Sequence, residues 1–101
     1  MASISQSQRQ FLRRLAHDLK PIVHIGKNGL SDSLFESAGI AIDTHELIKV
    51  KFNDLKDERR ELAEELAGHL RAELVGVIGN IAIIYRRQPD AERRKIDLPR
   101  E

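Results

Sequence analysis

The sequence contains no cysteine among its 101 residues. Disulfide bonds and thiolate metal sites are therefore excluded. Its histidines, at positions 17, 24, 45 and 69, are scattered and form no HxH or HExxH pattern, so we expect no metal site. The sequence also lacks a P-loop, a GxGxxG fingerprint and a GxSxG elbow, and no nucleophile stands beside a base. These absences predict a protein that is not an enzyme and needs no cofactor.

Long apolar runs are also missing. No stretch approaches the roughly 20 apolar residues that a membrane-spanning helix needs, and the N-terminal residues 1–5 lack the charged and apolar regions of a signal peptide. We therefore expect a cytoplasmic protein with no membrane partner, and separately we expect it to be a monomer. A length of 101 residues, 41% of them hydrophobic and 33% charged, predicts one folded domain with a modest core.

The charge is close to balanced overall but unevenly distributed along the chain. The formal net charge is +1. Residues 1–31 carry five cations and one carboxylate, a net charge of +4, whereas residues 54–73 carry four cations and seven carboxylates, a net charge of −3. This asymmetry predicts one face that binds a polyanion and an acidic back that faces solvent.

The stretch 22–32 is the part of the sequence that points most directly to a function. Its β-branched start predicts a short strand, and Ser31 and Asp32 are suitable N-caps for a following helix. Between them lies a GxxG loop, whose glycines let a polynucleotide backbone approach closely. A plain strand-to-helix turn is the alternative explanation. The candidate RNA-binding residues of the loop are Gly26, Lys27, Asn28 and Gly29.

The rest of the chain alternates between helical and strand patterns. Ser5 and Gln8 form a capping-box signal, Asp57 is a candidate cap, and Gly79-Asn80 is typical of a two-residue hairpin turn. The predicted elements are a helix over 5–19, a strand over 22–25, a helix over 31–44, a strand over 46–52, a helix over 57–72 and a hairpin over 74–86.

Further cations could extend the binding surface beyond the loop. In the strand 46–52, two lysines share one face while apolar residues occupy the other. Several N-terminal cations have no carboxylate at i+4 to neutralise them, which favours a binding role. The alternative explanation is an ordinary solvated helix face. The candidate electrostatic footprint comprises Arg9, Arg13, Lys20, Lys49, Lys51 and Arg86.

The end of the chain contains two weaker signals. Tyr85-Arg86-Arg87 could stack a base and hold a phosphate, although a tyrosine at a strand end is more often half-buried. The segment 88–101 is polar by composition and is expected to be a loosely ordered tail. Its run Arg93-Arg94-Lys95 could touch RNA or simply favour solubility.

Taken together, these segments resemble the CRM domain (chloroplast RNA splicing and ribosome maturation) in its small bacterial stand-alone form, the YhbY-type proteins. The resemblance covers nearly the whole chain, which would then be one CRM-like domain over 1–101. Arg87 departs from it, because proline usually follows the Tyr-Arg pair. The matching pieces are Leu15-Ala16-His17, Leu19-Lys20-Pro21, Ile25-Gly26-Lys27-Asn28-Gly29-Leu30, His45-Glu46-Leu47-Ile48-Lys49-Val50-Lys51, Val77-Ile78-Gly79-Asn80, Ile84-Tyr85-Arg86 and Lys95-Ile96-Asp97-Leu98-Pro99.

The resemblance implies an α+β fold of two layers, in which helices pack on a four-stranded mixed sheet in the order α-β-α-β-α-β-β. This fold is similar to the C-terminal domain of translation initiation factor three. The resemblance also implies binding of ribosomal RNA or its precursor through the GxxG loop, on a precursor of the large ribosomal subunit. The alternative is an adaptor that docks on a ribosomal protein through the acidic helix, and a small RNA-modifying enzyme is a weaker one.

Overall fold

The computed structural model describes residues 4–100, so residues 1–3 of the N-terminal stretch and Glu101 of the tail lie outside it. Four strands form one mixed sheet in the order β1-β2-β4-β3, with β1 and β2 parallel and the other neighbours antiparallel. This α+β arrangement confirms the predicted fold class. The elements are α1 (Gln6–Ala16), β1 (Val23–Ile25), α2 (Asp32–His45), β2 (Leu47–Phe52), α3 (Arg59–His69), β3 (Glu73–Ile78) and β4 (Ile81–Tyr85).

Two of the three predicted helix caps are present. The Ser5 hydroxyl accepts from the Gln8 N–H and the Gln8 side chain accepts from the Ser5 N–H, which completes the capping box of α1. Ser31 caps α2 by accepting from the Leu34 N–H. The prediction that Asp57 caps α3 is wrong, because a short 3₁₀ turn over Lys56–Glu58 precedes the helix.

Apolar residues are buried on both faces of the sheet, fully on one face and in part on the other. The strand β2 shows why, because its alternate residues point to opposite sides, as the sequence predicts. Ile48, Val50 and Phe52 belong to the larger core, which α2 and α3 cover. Leu47 belongs to a smaller core on the opposite face, under α1. The predicted two-layer packing therefore describes α2, α3 and the sheet, and α1 adds a partial third layer.

The C-terminal segment is polar in sequence but packed in the structure, in contrast to the expected loose tail. Ile96 and Leu98 pack against the smaller core beside α1. The buried carboxylate of Glu46 accepts hydrogen bonds from the backbone N–H groups of Gln88, Lys95 and Ile96. A single acidic side chain at the start of β2 thus fixes two separate points of the tail.

The β3–β4 hairpin turns at Gly79-Asn80, as predicted. Of these two residues only Gly79 has a left-handed backbone, with φ +57°. We expect Gly79→Ala to lower the free energy of unfolding by about 1 kcal/mol, because alanine is strained at positive φ. The companion variant Asn80→Ala should change it by less than about 0.5 kcal/mol. Thermal unfolding of both variants checks this, and equal melting temperatures for Gly79→Ala and the parent would contradict it.

None of the helices within residues 4–100 has the length and hydropathy that crossing a membrane would require.

Candidate functional site

The GxxG segment forms a tight, exposed loop between β1 and α2. The Gly29 N–H donates to the Gly26 carbonyl over 3.0 Å, which closes a four-residue turn. Lys27 and Asn28 at its tip are exposed, and their side chains and N–H groups make no hydrogen bond to residues 4–100. The loop thus presents a cation, a side-chain amide and two backbone donors to the outside.

The structure accounts for glycine at position 29 of the loop but not at position 26. Gly29 has φ +66°, and a Cβ built on it would lie 3.3 Å from a Leu55 methyl carbon. Its conformation and its packing therefore both favour glycine. A Cβ built on Gly26 meets no atom within 4 Å, and its φ is not left-handed. The protein itself does not require glycine at position 26, so open space above that backbone is left for a ligand.

The groove beside the loop continues along the start of α2. Hydroxyl groups of Ser31, Ser33 and Ser37 line it together with His24. Ser31 already accepts from the Leu34 N–H as the helix cap, whereas Asp32 in the first turn is exposed. The Asp32 carboxylate complements the helix dipole and would repel a second anion there. Attraction of phosphates by this helix end is therefore weaker than the sequence alone indicates.

The outer face of the sheet next to the loop is basic. His24 of β1 is paired with Lys51 of β2, and both are exposed on the face that α1 leaves uncovered. The His24 ring nitrogen Nδ1 lies 3.2 Å from the Asn53 side-chain nitrogen, which orients the imidazole. Lys51 has no hydrogen bond or ion pair within the described part of the chain. Because Lys51 pairs with His24 and the loop begins two residues after His24, Lys51 and the loop lie at the same end of the sheet.

Three predicted cations continue this face towards α1, and one of them, Lys49, already donates hydrogen bonds within the protein. Lys49 Nζ donates to the Leu19 carbonyl over 3.0 Å and to the His17 carbonyl over 3.4 Å, so it ties the chain after α1 to the sheet. Arg13 is exposed with its guanidinium directly over Gly76, where a Cβ would lie 2.8 Å from its nitrogen. Lys20 is exposed after the end of α1.

Arg9 and Arg86 do not join the loop. The Arg9 guanidinium donates to the carbonyls of Leu74 and Val75 over 2.7 and 2.8 Å, at a bulge in β3. Arg86 follows Tyr85, which pairs with the first residue of β2, whereas the loop follows Ile25, which pairs with the last. The strand rise of ~3.3 Å per residue puts these two pairs about 17 Å apart. The sequence-based footprint thus divides into separate parts.

Arg86 is also partly neutralised. Its guanidinium donates to the Leu70 carbonyl over 2.9 Å and lies 3.7 Å from an Asp43 carboxylate oxygen. A hydrogen bond from the Gln88 side chain, followed by one from Arg93, lowers the pKa of Asp43 below its ordinary value. These contacts join the ends of α2, α3 and β4, so Arg86 has a structural role.

The sequence did not lead us to include His24, Ser33 and Ser37, which line the groove beside the loop, among the candidate site residues. His24 could have been found from the alternation of the strand 22–25, because its neighbours on both sides are buried and it must face outwards. The serines lie four residues apart on α2 and thus on one side of the helix, a spacing visible in the sequence. No group of three or more possible metal-ligand side chains occurs within the described residues.

A small α+β domain with an exposed GxxG loop beside exposed cations is typical of single-domain modules that bind nucleic acids. The family comparison makes this class specific, because the model of the CRS1/YhbY (CRM) domain matches residues 4–86. The chain belongs to this family. The resemblance deduced from the sequence motifs is therefore confirmed.

Relatives and a solved structure agree with this membership. The chain is 38% identical over 102 residues to a Haemophilus influenzae RNA-binding protein, with full coverage of both chains. It is 34% identical over 97 residues to YqeI of Bacillus subtilis, named as a probable RNA-binding protein, covering 95% of this chain and 99% of that one. A solution structure of a Staphylococcus aureus protein, described provisionally as RNA-binding, superposes with a TM-score of 0.80 at 37% identity, covering 96% and 100% of the two chains.

Proposed function

We propose that this protein binds ribosomal RNA through its GxxG loop and the adjacent basic sheet face, and that it assists assembly of the large ribosomal subunit. The observation that carries this proposal is the open backbone at Gly26, where none of residues 4–100 would contact an added Cβ, next to a Lys27 side chain that has no partner within the same residues. Membership of a family of RNA-binding proteins supports RNA as the polyanion.

In this proposal the loop binds the RNA backbone, and the cations fix the position of the RNA along the sheet face. The N–H groups of Lys27 and Asn28 donate to phosphate oxygens, and the Lys27 ammonium neutralises their charge. Exposed Lys51, Lys20 and Arg13 extend the contact along the outer face of β2 towards α1. Phosphate contacts carry little sequence information, so the shape of the RNA determines specificity.

The remaining predicted residues have smaller parts in this proposal. Arg9, Lys49 and Arg86 each donate to backbone carbonyls within the protein, so their charges add to the field but their side chains are already engaged. We place the protein in the cytoplasm as a monomer without enzymatic activity or cofactor. It acts on a precursor particle of the large subunit as one domain over residues 1–101.

The salt dependence of binding tests the proposed function. Neutralisation of about four phosphates by Arg13, Lys20, Lys27 and Lys51 should make log K fall against log salt with a slope of roughly −3, at about 0.7 per phosphate for unpaired RNA. Titrations of a labelled precursor ribosomal RNA fragment at several salt concentrations measure this slope.

The alternative adaptor function predicts a different result in the same experiment. If the acidic surface of α3 docks on a basic ribosomal protein, the isolated chain should show weak RNA binding with a flat salt dependence. That result would contradict the basic-face proposal. Replacing Glu61 and Glu65 by lysine would then abolish binding to the ribosomal protein, whereas our proposal predicts unchanged or slightly stronger RNA binding.

The two loop glycines should respond differently to alanine. Gly26→Ala should leave the melting temperature unchanged, because its Cβ meets open space, but should weaken RNA binding on the order of tenfold by keeping the RNA backbone away from the loop. Gly29→Ala should instead lower the free energy of unfolding by about 1 kcal/mol or more. Calorimetry and RNA titration of both variants separate these effects. Normal RNA affinity of Gly26→Ala would show that RNA does not approach this backbone.

A further inference from the structure

A second cationic cleft lies at the other end of the sheet from the GxxG loop. It is bounded by the first turn of α1, the end of β4 and the C-terminal segment, and we call it the tail cleft. Its lining carries four cations and one carboxylate, Asp97, a net charge of +3. The match to the family model ends at residue 86, so all four of these cations come from outside the matched residues. The cations are Arg87, Arg94, Lys95 and Arg100.

The floor of the tail cleft contains an unpaired donor. Tyr85 is only 4% exposed and its ring belongs to the smaller core, which argues against stacking on a base. Its hydroxyl makes no hydrogen bond to residues 4–100, and no buried side-chain polar atom among them lacks a partner, so the hydroxyl oxygen is accessible from the cleft that Tyr85 lines. Burial raises the pKa of Tyr85, so the hydroxyl stays protonated and can donate. The charge of Glu46 raises this pKa further, whereas the charges of Arg87 and Arg94 lower it.

The tail cleft is held open by the protein itself. Gln8 of α1 donates to the Pro99 carbonyl over 2.7 Å, and Arg94 Nε donates to the Gln88 carbonyl over 2.7 Å. The Glu46 carboxylate holds the backbone at Lys95 and Ile96. The exposed side chains of Arg87, Lys95 and Arg100 make no hydrogen bond or ion pair within the described residues. The scaffold is thus fixed while its cations remain available.

We propose that the tail cleft binds a phosphate group of the RNA, as a contact separate from the GxxG loop, with the Tyr85 hydroxyl donating a hydrogen bond and the four cations supplying the charge. The inference rests on the proposed function. Three arginines, a lysine and a phenol line this mostly polar cleft, which suits a phosphate better than the apolar side chains of a protein partner. Two contacts about 17 Å apart along the sheet would let one chain hold two points of the same RNA.

The variant Tyr85→Phe tests the hydroxyl directly. Because the hydroxyl has no hydrogen-bond partner in the described part of the chain, its removal should leave the melting temperature unchanged. Affinity for a precursor ribosomal RNA fragment should fall about tenfold or more, since one hydrogen bond to a charged group is lost. The triple variant Arg87→Gln, Lys95→Gln, Arg100→Gln should weaken binding at least tenfold and reduce the magnitude of the salt slope by about 0.7, because one phosphate contact is lost.

A matched triple variant on the acidic side controls for net charge. Lys56→Gln, Arg60→Gln, Arg71→Gln removes the same charge from exposed positions around α3 and should change RNA affinity less than threefold. If the parent binds RNA through the loop but the tail-cleft triple behaves like this control, the tail cleft is overturned while the proposed function stands. This result overturns RNA binding by the tail cleft even if the cleft binds an acidic protein. If the parent binds no RNA, both proposals are overturned.

Discussion

Replacement of Lys27 and Asn28 together by aspartate is expected to weaken RNA binding roughly a hundredfold or more while the fold remains intact. One cation is removed and two carboxylates are placed where phosphates are expected, so attraction becomes repulsion. Charges within about 4 Å interact by ~1 kcal/mol in bulk water and by several kcal/mol at lower dielectric, which together gives a loss of about 3 kcal/mol. The new carboxylates would also accept from the loop N–H groups and compete with the RNA for them.

The fold of this loop variant should be unchanged, because neither position has a left-handed backbone or a hydrogen-bonded side chain within residues 4–100. Circular dichroism and thermal unfolding check this point, and titration with a precursor ribosomal RNA fragment measures affinity. The control is Glu61→Lys with Glu65→Lys on α3, two exposed changes of similar size that should leave binding intact. A loop variant that folds and binds like the parent would show that Gly26–Gly29 is only a turn.

The largest expected effect on stability comes from Glu46, whose side chain holds the C-terminal segment. Glu46→Gln keeps the size of the side chain and the same backbone conformation, so it isolates the hydrogen bonds. One end of the amide would face a backbone donor with its own N–H₂ group and leave that donor unsatisfied in a buried site. We expect a loss of about 2 kcal/mol or more in the free energy of unfolding, or on the order of 10 °C in melting temperature.

Glu46→Ala should be worse, because it removes every acceptor for the N–H groups of Gln88, Lys95 and Ile96. The exposed Glu61→Gln changes the same charge and should alter the free energy of unfolding by less than about 0.5 kcal/mol. Thermal unfolding with hydrogen exchange of the tail amides provides the measurement. Fast exchange at positions 95 and 96 should accompany the lower stability in Glu46→Gln. Parent-like exchange and melting temperature would mean that the apolar contacts of Ile96 and Leu98 suffice to hold the tail.

The regular elements of the fold were predictable because their signals are local. Alternation in Leu47–Phe52 assigned the faces of β2 correctly, and Ser5 and Ser31 marked helix starts that the structure confirms. The tail was not predictable in this way. Ile96 and Leu98 are isolated apolar residues in a polar stretch, and they become core only because Glu46, about fifty positions away, fixes the backbone beside them.

The candidate site was predictable in its loop and less so in its footprint. Two glycines three apart identify a GxxG loop from the sequence alone, and the structure places that loop in the open. Whether a cation is available for a ligand depends on backbone carbonyls that are distant in sequence. Arg9 donates to β3 and Arg86 to the end of α3, contacts that no local pattern indicates. Pairing of β1 with β2, also nonlocal, brings His24 and Lys51 together.

The central claim is that RNA lies against the GxxG loop and the adjacent sheet face. The most direct measurement is a titration of isotope-labelled protein with a precursor ribosomal RNA fragment, followed through its backbone amide resonances. The account predicts the largest shifts at residues 26–29, with further shifts at His24 and Lys51 and little change in Arg59–His69. Shifts confined to Arg59–His69, with the loop amides unchanged at saturation, would contradict it.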